Sequence, residues 1–374
     1  MKIAIIQRVC PDYRVGFFKK VFKRNEGNTL LFLNNDDNEI KAKNAKQIPF
    51  PYKKIPYFRF NFFNRIFYLN YTLLFELIKL KPKIIFTEGD GHFLAYVQSL
   101  FYRYFINRNS RVICWTYFVL PGVQEPNSFE KKLRNFMHKF FDAHFVYSTF
   151  SKEKLIEKKI KPESIFISHN VSNTDILMKK SKNLISSKAA KEKLQISNNF
   201  TVSYIGAIEP AKKPEKFVEI AKYFKDQKIN FLIAGNGSQK VFLEKYVKEN
   251  DIKNIFFRSV DHSEVDLLYA ATDTLVIPGR GGMIISEAMC FGIPVLLDYC
   301  DGVELDFIHN GKNGFILNDV SPKVFSDHII MIMNDKNLQA QMKNYSQNLI
   351  NKRFNTSNMA NVLFDCINYC VTKK

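Results

Sequence analysis

The sequence predicts a two-domain α/β protein with parallel sheets, and three observations carry that expectation. The chain has 374 residues, more than one hydrophobic core usually organises. Short apolar runs of strand length alternate with amphipathic stretches, the order that builds parallel sheets through helical crossovers. Glycines stand where apolar runs give way to helical pattern, at Gly206, Gly235 and Gly281-Gly282. Such turns line the ligand crevice of open α/β sheets.

Charge narrows the partners. The formal net charge is +19, and it is uneven: residues 1–175 hold 29 Lys and Arg against 15 Asp and Glu, the remainder 26 against 21. A basic first half suits a polyanionic surface, either lipid head groups or nucleic acid. Six cysteines are scattered without Cys-x-x-Cys spacing, as expected of reduced thiols in the cytosol. Cys366 and Cys370, i and i+4 on an expected helix, read as packing. The opening apolar run is too short for a signal peptide and reads as a buried strand. No uncharged run of 18 apolar residues occurs, so no spanning helix is expected.

Taken in order, residues 2–6 read as the first strand and the loop 7–14 leads past Gly16 to a helix at about 17–24. Loops after such strands face the crevice, which makes Arg8 and Arg14 candidates for it. Residues 30–33 read as a second strand. Residues 49–75 interleave aromatics with Lys53, Lys54, Arg59 and Arg65. That pattern fits an interfacial membrane patch, a stacking surface for single-stranded nucleic acid, or a partly buried helix with aromatics on its core face; all three readings stay open. Strands at 84–86 and 111–114 flank a helical segment at 92–105, and the turn Trp115-Thr-Tyr-Phe-Val-Leu-Pro-Gly122 follows. His92 and His138 read as surface or packed histidines. Residues 145–155 read as strand, cap and helix, with Ser151 as N-cap. A last strand of the first domain falls at 165–169, and the Lys/Ser-rich stretch 179–193 reads as linker. The second domain opens with a strand at 200–205, then a helix at 213–224. Strands at 230–234 and 254–257 follow, and helices start at 263, 322 and about 338. A final helix spans 358–371.

The densest signal lies at residues 273–315. Thr274 to Ile277 make an apolar run closed by Pro278-Gly279; Gly281-Gly282 opens a helical pattern from Met283 to Phe291, stopped by Gly292 before Pro294. Unpaired amides and the positive end of the helix dipole meet at such a start, and both favour a phosphate. Arg280 adds a cation, and Glu287 offers a carboxylate to sugar or ribose hydroxyls.

The string Pro-x-x-x-Gly…Glu-Ala-Met-x-x-Gly-x-Pro-Val, with Asn-Gly-x-x-Gly-Phe downstream, resembles the donor-binding core of family 4 glycosyltransferases of the GT-B fold. The Pro-x-Tyr-Arg-x-x-Phe-Phe pattern near the N-terminus is similar to the opening of some bacterial members. The resemblance implies two Rossmann-like domains facing each other across a cleft: 1–175 for the acceptor, a linker at 176–199, and 200–355 for the nucleotide-sugar donor. It also implies that the helix within 356–374 crosses back to the first domain.

The same resemblance assigns residues. Lys212, six after Gly206, keeps the register of a lysine on the donor diphosphate. Arg258, Ser259 and Val260 fall where the backbone grips the base, and Glu287 falls at the ribose. Gly281, Gly282, Met283 and Ile284 supply amides, and Arg14 and Gly16 join the substrate-binding set. Lys212, Arg280 and Tyr117 form the catalytic set. Three positions depart from the pattern: Ala207 replaces an arginine, Gly279 the first of two glutamates, and Tyr117 a histidine. A leaving diphosphate needs positive charge at its oxygens, and Lys212, Arg280 and the amides near Gly281 supply it without a metal; Asp36-Asp37 reads as a turn. The expected activity is retaining, metal-independent transfer of a hexose-type sugar from a nucleotide-diphosphate sugar to a lipid-linked or surface glycan, such as lipopolysaccharide or capsule. No cofactor is implied. Partners are the nucleotide sugar, the glycan acceptor and an anionic membrane surface, at the inner face of the cell membrane, with no nucleic acid. Two rivals remain: a catalytically weak nucleotide- or glycan-binding partner, and a basic nucleic-acid-binding protein.

Overall fold

The computed structural model describes residues 1–34, 44–62, 65–89, 94–121, 128–259, 264–299, 302–317 and 321–372. Asp36-Asp37, His92 and Val260 lie outside the described residues. In chain order the first elements are β1 (Ile3–Gln7), α1 (Asp12–Arg24), β2 (Thr29–Asn34), β3 (Tyr52–Ile55), β4 (Phe58–Phe62), β5 (Arg65–Leu69), α2 (Leu73–Leu80), β6 (Ile84–Glu88) and α3 (Ala95–Phe101). A π-helical turn (Tyr102–Ile106) extends α3, followed by β7 (Arg111–Thr116), α4 (Ser128–His138), β8 (Ala143–Val146), α5 (Thr149–Glu157) and β9 (Ile165–Ile167). Next come α6 (Thr174–Lys182), α7 (Ser187–Lys193), β10 (Phe200–Ile205), α8 (Pro214–Lys222), β11 (Ile229–Ala234), α9 (Lys240–Glu249), β12 (Ile255–Arg258) and α10 (Val265–Ala271). The chain continues through β13 (Thr274–Ile277), α11 (Ile284–Phe291), β14 (Val295–Leu297), α12 (Glu304–Phe307), β15 (Gly314–Ile316), α13 (Pro322–Asn334), α14 (Lys336–Lys352) and α15 (Thr356–Thr372).

These elements form two compact units, one of residues 1–173 with 356–374, the other of residues 174–355. The first unit holds a parallel sheet in the order β3-β2-β1-β6-β7-β8-β9. Central strands are buried on both faces, which is why β1 reads Ile-Ala-Ile-Ile without polar alternation. One face, with Ala4, Ile6, Phe32, Ile85 and Val112, packs on Leu73 and Leu77 of α2, Ala95 and Leu100 of α3, and Tyr102. Behind the other face Phe17 and Phe18 of α1 meet Trp115 and Phe145. Helix α15 packs on α1 and on β7, β8 and β9, with Cys366 and Cys370 buried as packing residues. The second unit holds the parallel sheet β12-β11-β10-β13-β14-β15. One of its faces is covered by α8, α9, α13 and α14 through Phe217, Val218, Leu243, Phe325 and Met342.

Four expectations change. Residues 49–75 are neither a helix nor a continuous patch: Phe50 and Ile55 are buried, and β4 and β5 pair as an antiparallel hairpin on which Phe60 stacks with Phe58 and Phe67. Helix α1 begins at Asp12, so Arg14 and Gly16 lie on it and not in a loop; Pro11 is its extended N-cap and Asp12 complements the dipole in its first turn. Ser148, not Ser151, caps α5, because its backbone is extended and its Oγ accepts from the Ser151 amide at 3.2 Å. The stretch expected as linker folds into α6 and α7 within the second unit. Its composition hides a short buried face: Leu177, Ala190 and the stem of Lys191 are covered, and Lys191 Nζ reaches Asp273 Oδ2 at 2.8 Å.

Beside β8, His144 Nε2 lies 3.1 Å from His138 Nδ1, and both rings are buried. Burial holds both imidazoles below the ordinary histidine value, His144 at about 3 and His138 well below 6.5, where His144 and Arg134 add to the effect. The unfolded chain binds these protons below about pH 6.5 while the fold refuses them. Stability is therefore full above that pH and falls as pH drops from about 6.5 toward 3, by up to about 1.4 kcal/mol per pH unit for each ring. Urea denaturation between pH 7 and 5 should show this slope, reduced in His144→Leu; an unchanged slope in that variant would place the acid sensitivity elsewhere.

Candidate functional site

Each sheet reverses its strand order once, between β1 and β6 in the first unit and between β10 and β13 in the second. Open parallel sheets bind ligands outside the carboxyl ends of their strands at such a point. In the second unit the loops after β10 and β13 meet there. Gly206 leaves β10 with a φ of 140°, a conformation side chains disfavour. The short turn Pro210–Lys212 carries Lys212 back over it, so that a Cβ on Gly206 would lie 3.8 Å from Lys212 Nζ. That ammonium donates to the carbonyls of Arg280 at 2.9 Å and Gly281 at 3.4 Å, while the Arg280 amide donates to Ala211 O at 3.2 Å.

At Gly279 the loop after β13 lies directly against the main chain of Lys212. A Cβ there would sit 2.6 Å from the Lys212 carbonyl carbon, so the turn tolerates no side chain. The glutamate that the family pattern sets at this position is therefore excluded by the packing of the two loops. Gly281 is likewise tight against Ile285, whereas Gly282, with a φ of 64°, has open space around it and serves the turn. Met283 and Ile284 then begin α11, where helix geometry leaves amides without intrahelical partners. Arg280 is half-buried at the same turn. Two like-signed side chains and a helix N-terminus thus share one strand edge.

Glu287 is the fourth residue of α11, and its Oε2 accepts from the Tyr269 hydroxyl at 3.0 Å. Burial, with Glu287 adjacent, pushes the Tyr269 hydroxyl well above its ordinary value and keeps it a donor. Tyr269 thereby orients the carboxylate, a partner that no motif announces. Lys213, left-handed at φ 49°, bonds Asp298 Oδ2 at 2.8 Å and so ties the same edge to the end of β14.

The loops after β11 and β12 extend this edge. A Cβ on Gly235 would fall 1.8 Å from Gly206 O, and one on Gly237 2.3 Å from Ile208 O, so both glycines are needed for the loops to nest. Ser238 Oγ donates to Glu209 Oε2 at 2.7 Å, and Lys240 Nζ lies 3.3 Å from Ser259 Oγ. The Arg258 side chain turns away from this edge: its guanidinium donates to Leu194 O and, at 2.7 Å, to Phe257 O. The side chain anchors the end of α7, and the expectation for this residue, which concerned its main chain, is untouched by that contact.

In the first unit the β1/β6 edge holds Arg8, whose Nε bonds Glu88 Oε2 at 2.7 Å. Arg14 is only 8% exposed, and its guanidinium lies 3.8 Å over the Trp115 ring. Gly16 faces Asn173, whose Oδ1 a Cβ would meet at 2.6 Å. Both expected binding residues are therefore engaged in packing within their own unit. Tyr117 is 37% exposed, stacks on Tyr147, and precedes Phe118, held at φ 61°.

Residues 186–349 match the family model described as glycosyl transferases group 1. An uncharacterized glycosyltransferase of Methanocaldococcus jannaschii is 25% identical over 243 residues, 60% of this chain and 61% of that protein. The UDP-Gal:alpha-D-GlcNAc-diphosphoundecaprenol alpha-1,3-galactosyltransferase of Escherichia coli is 26% identical over 164 residues, 41% of this chain and 42% of that one. The chain thus spans less than two thirds of either relative's length. Anabaena HepE in complex with UDP superposes with a TM-score of 0.75 over 98% of this chain and 100% of that one at 15% identity, which shows the fold.

Gly279→Ala should destabilise the second unit by about 1–3 kcal/mol, since the added carbon meets backbone and not a movable side chain. Gly282→Ala should cost less, backbone strain alone. Equal melting temperatures for the two variants would contradict the loop contact. Glu287→Ala, which leaves the buried Tyr269 hydroxyl unsatisfied, should cost about 1–3 kcal/mol, and Glu287→Gln less because an acceptor remains. Denaturant titration of both variants decides it.

Proposed function

We propose that this chain, which has the GT-B fold and carries a group 1 glycosyltransferase domain at residues 186–349, transfers a hexose-type sugar from a nucleotide-diphosphate sugar to a lipid-linked or surface glycan. One observation carries the reading. Lys212, Arg280 and the start of α11 converge on the β10/β13 switch point, where a diphosphate would find two cations and helix amides together. As the bond from sugar to diphosphate breaks, charge grows on the leaving oxygens, and groups already aimed there lower the barrier. Glu287, oriented by Tyr269, takes the ribose hydroxyls, and the Gly235–Ser238 and Ser259 loops take the base. Tyr117 offers a hydroxyl to a sugar oxygen. The reaction is retaining and needs no metal, following the pattern the motifs resemble.

Two comparisons support the donor and acceptor classes: the UDP complex of the structural neighbour and the diphosphoundecaprenol acceptor in the name of the E. coli relative. No helix among the described residues is long and apolar enough to cross a membrane. The basic first half then suits work at the surface of an anionic membrane, on the side where nucleotide sugars are found.

A thermal-shift screen against UDP, GDP, dTDP, CMP and their sugar conjugates tests the donor site. One diphosphate should raise the melting temperature by mass action. Arg280→Ala should weaken that ligand about tenfold or more, as loss of a charge-assisted hydrogen bond does. Lys212→Ala should abolish the shift. Sugar transfer by the liganded protein separates an enzyme from a binding partner. No shift with any diphosphate, alongside tight, salt-sensitive RNA binding, would overturn the reading.

A further inference from the structure

Three neighbouring elements of the first unit expose apolar side chains at helical spacing on the side away from their core. Tyr71, just before α2, and Phe75 and Ile78 on it stand at i, i+4 and i+7, all exposed, with Phe75 66% so. Leu73 and Leu77 of the same helix are fully buried. On α3 and the π-helical turn, Val97, Phe101 and Tyr104 repeat the spacing, and Phe105 is 76% exposed. The wide turn, closed by the Asn107 amide on Tyr102 O at 2.8 Å, sets Tyr104, Phe105 and Ile106 outward in succession. On α4 Leu133 and Phe136 are exposed one turn apart.

These stripes adjoin. Helix α2 packs on α3 and on the π-helical turn. The Tyr104 hydroxyl donates to Phe140 O at 3.0 Å, and Phe136 meets Phe140 edge-on at 4.8 Å, joining the turn to the end of α4. Exposed cations rim the layer: Lys79 and Lys81 on and after α2, Arg108 after the turn, Lys132 and Lys139 on and after α4. Two neighbouring carboxylates are already engaged, Glu76 by Lys53 at 2.7 Å and Asp142 by Arg103 at 3.4 Å and Arg111 at 3.5 Å.

Large apolar side chains at regular spacing on a monomer's outer face mark a surface that something covers. We propose that the outer face of α2, α3 with its π-helical turn, and α4 docks on an anionic lipid bilayer. Aromatics enter the head-group boundary while the lysine rim meets anionic lipid. Charge complementarity selects this occupant: apolar stripes with interleaved and flanking Lys and Arg are what interfacial helices present. The inference rests on the membrane-bound acceptor proposed above and gives that acceptor's side of the protein a definite face. It also relocates the expected patch, since most of the 49–75 aromatics fall outside these stripes.

Vesicle flotation of the full chain tests it. Vesicles containing phosphatidylglycerol should retain the protein, those of phosphatidylcholine alone should retain less, and high salt should weaken retention. Phe101→Ser with Phe105→Ser, and separately Lys132→Glu with Lys139→Glu, should each lower partitioning about tenfold or more, from lost apolar burial and lost charge. All four positions are exposed, so melting temperature and the nucleotide-dependent shift should stay as in the parent. Absence of binding by the parent, or parent-level binding by both double variants, would overturn the proposal. So would a concentration-dependent dimer dissolved by the phenylalanine changes. Vesicle binding without any nucleotide shift would sink the transferase reading and leave the docking face standing; the reverse pattern would do the opposite.

Discussion

The contact between Gly279 and the main chain of Lys212 is the constraint on which the second unit's site depends. Two loops leaving adjacent parallel strands can approach this closely only if one of them carries no side chain, and the 2.6 Å separation for a Cβ shows how little room is left. Everything nearby follows from that closeness. Lys212 can reach the Arg280 and Gly281 carbonyls because the loops touch, and those carbonyls hold the ammonium over Gly206. The Gly235 and Gly237 loop nests on the same ridge by the same means, backbone against backbone. A turn made this way is rigid, since main chain yields less than side chains do.

That packing also recasts a departure from the family pattern. Absence of a glutamate at position 279 reads, from the string alone, as a lost sugar contact. In the fold it is the condition for loop closure, since the Lys212 main chain fills the space a side chain at position 279 would need. A glycine in this place leaves the loop without a carboxylate.

Much of the fold was legible. Apolar runs marked β1, β6, β7, β10, β11 and β13 within one or two residues, because strands buried on both faces carry no polar alternation to confuse them. Helix starts were less so: α1 opens five residues earlier than its apolar pattern, since Pro11 and Asp12 decide it and not hydrophobic spacing. The hairpin β4–β5 was missed because its aromatics stack along one strand and across to the next, Phe60 on Phe58 and Phe67, a pattern the string shares with a helix face. Helices α6 and α7 were missed because their partners are distant in sequence, such as Asp273 for Lys191. In the site, glycines and Lys212 announced themselves through spacing. Tyr269 did not, being one more aromatic on a helix until the fold sets its hydroxyl on Glu287. The packing partners of Arg14, Gly16 and Arg258 were equally illegible, because a string shows a cation or a glycine but not what lies against it.

The second unit is one continuous stretch, but the first is completed only by α15, whose Leu363, Phe364 and Ile367 are buried and whose Tyr369 meets Phe166 of β9. On the ribosome this order matters. Residues 1–173 emerge with part of their sheet uncovered and wait while the whole of the other unit is made, roughly 10–40 s at about 5–20 residues per second. During that interval the apolar surface later sealed by α15 faces the cytosol or a chaperone. The N-terminal half, first to be made, is thus the last to finish folding.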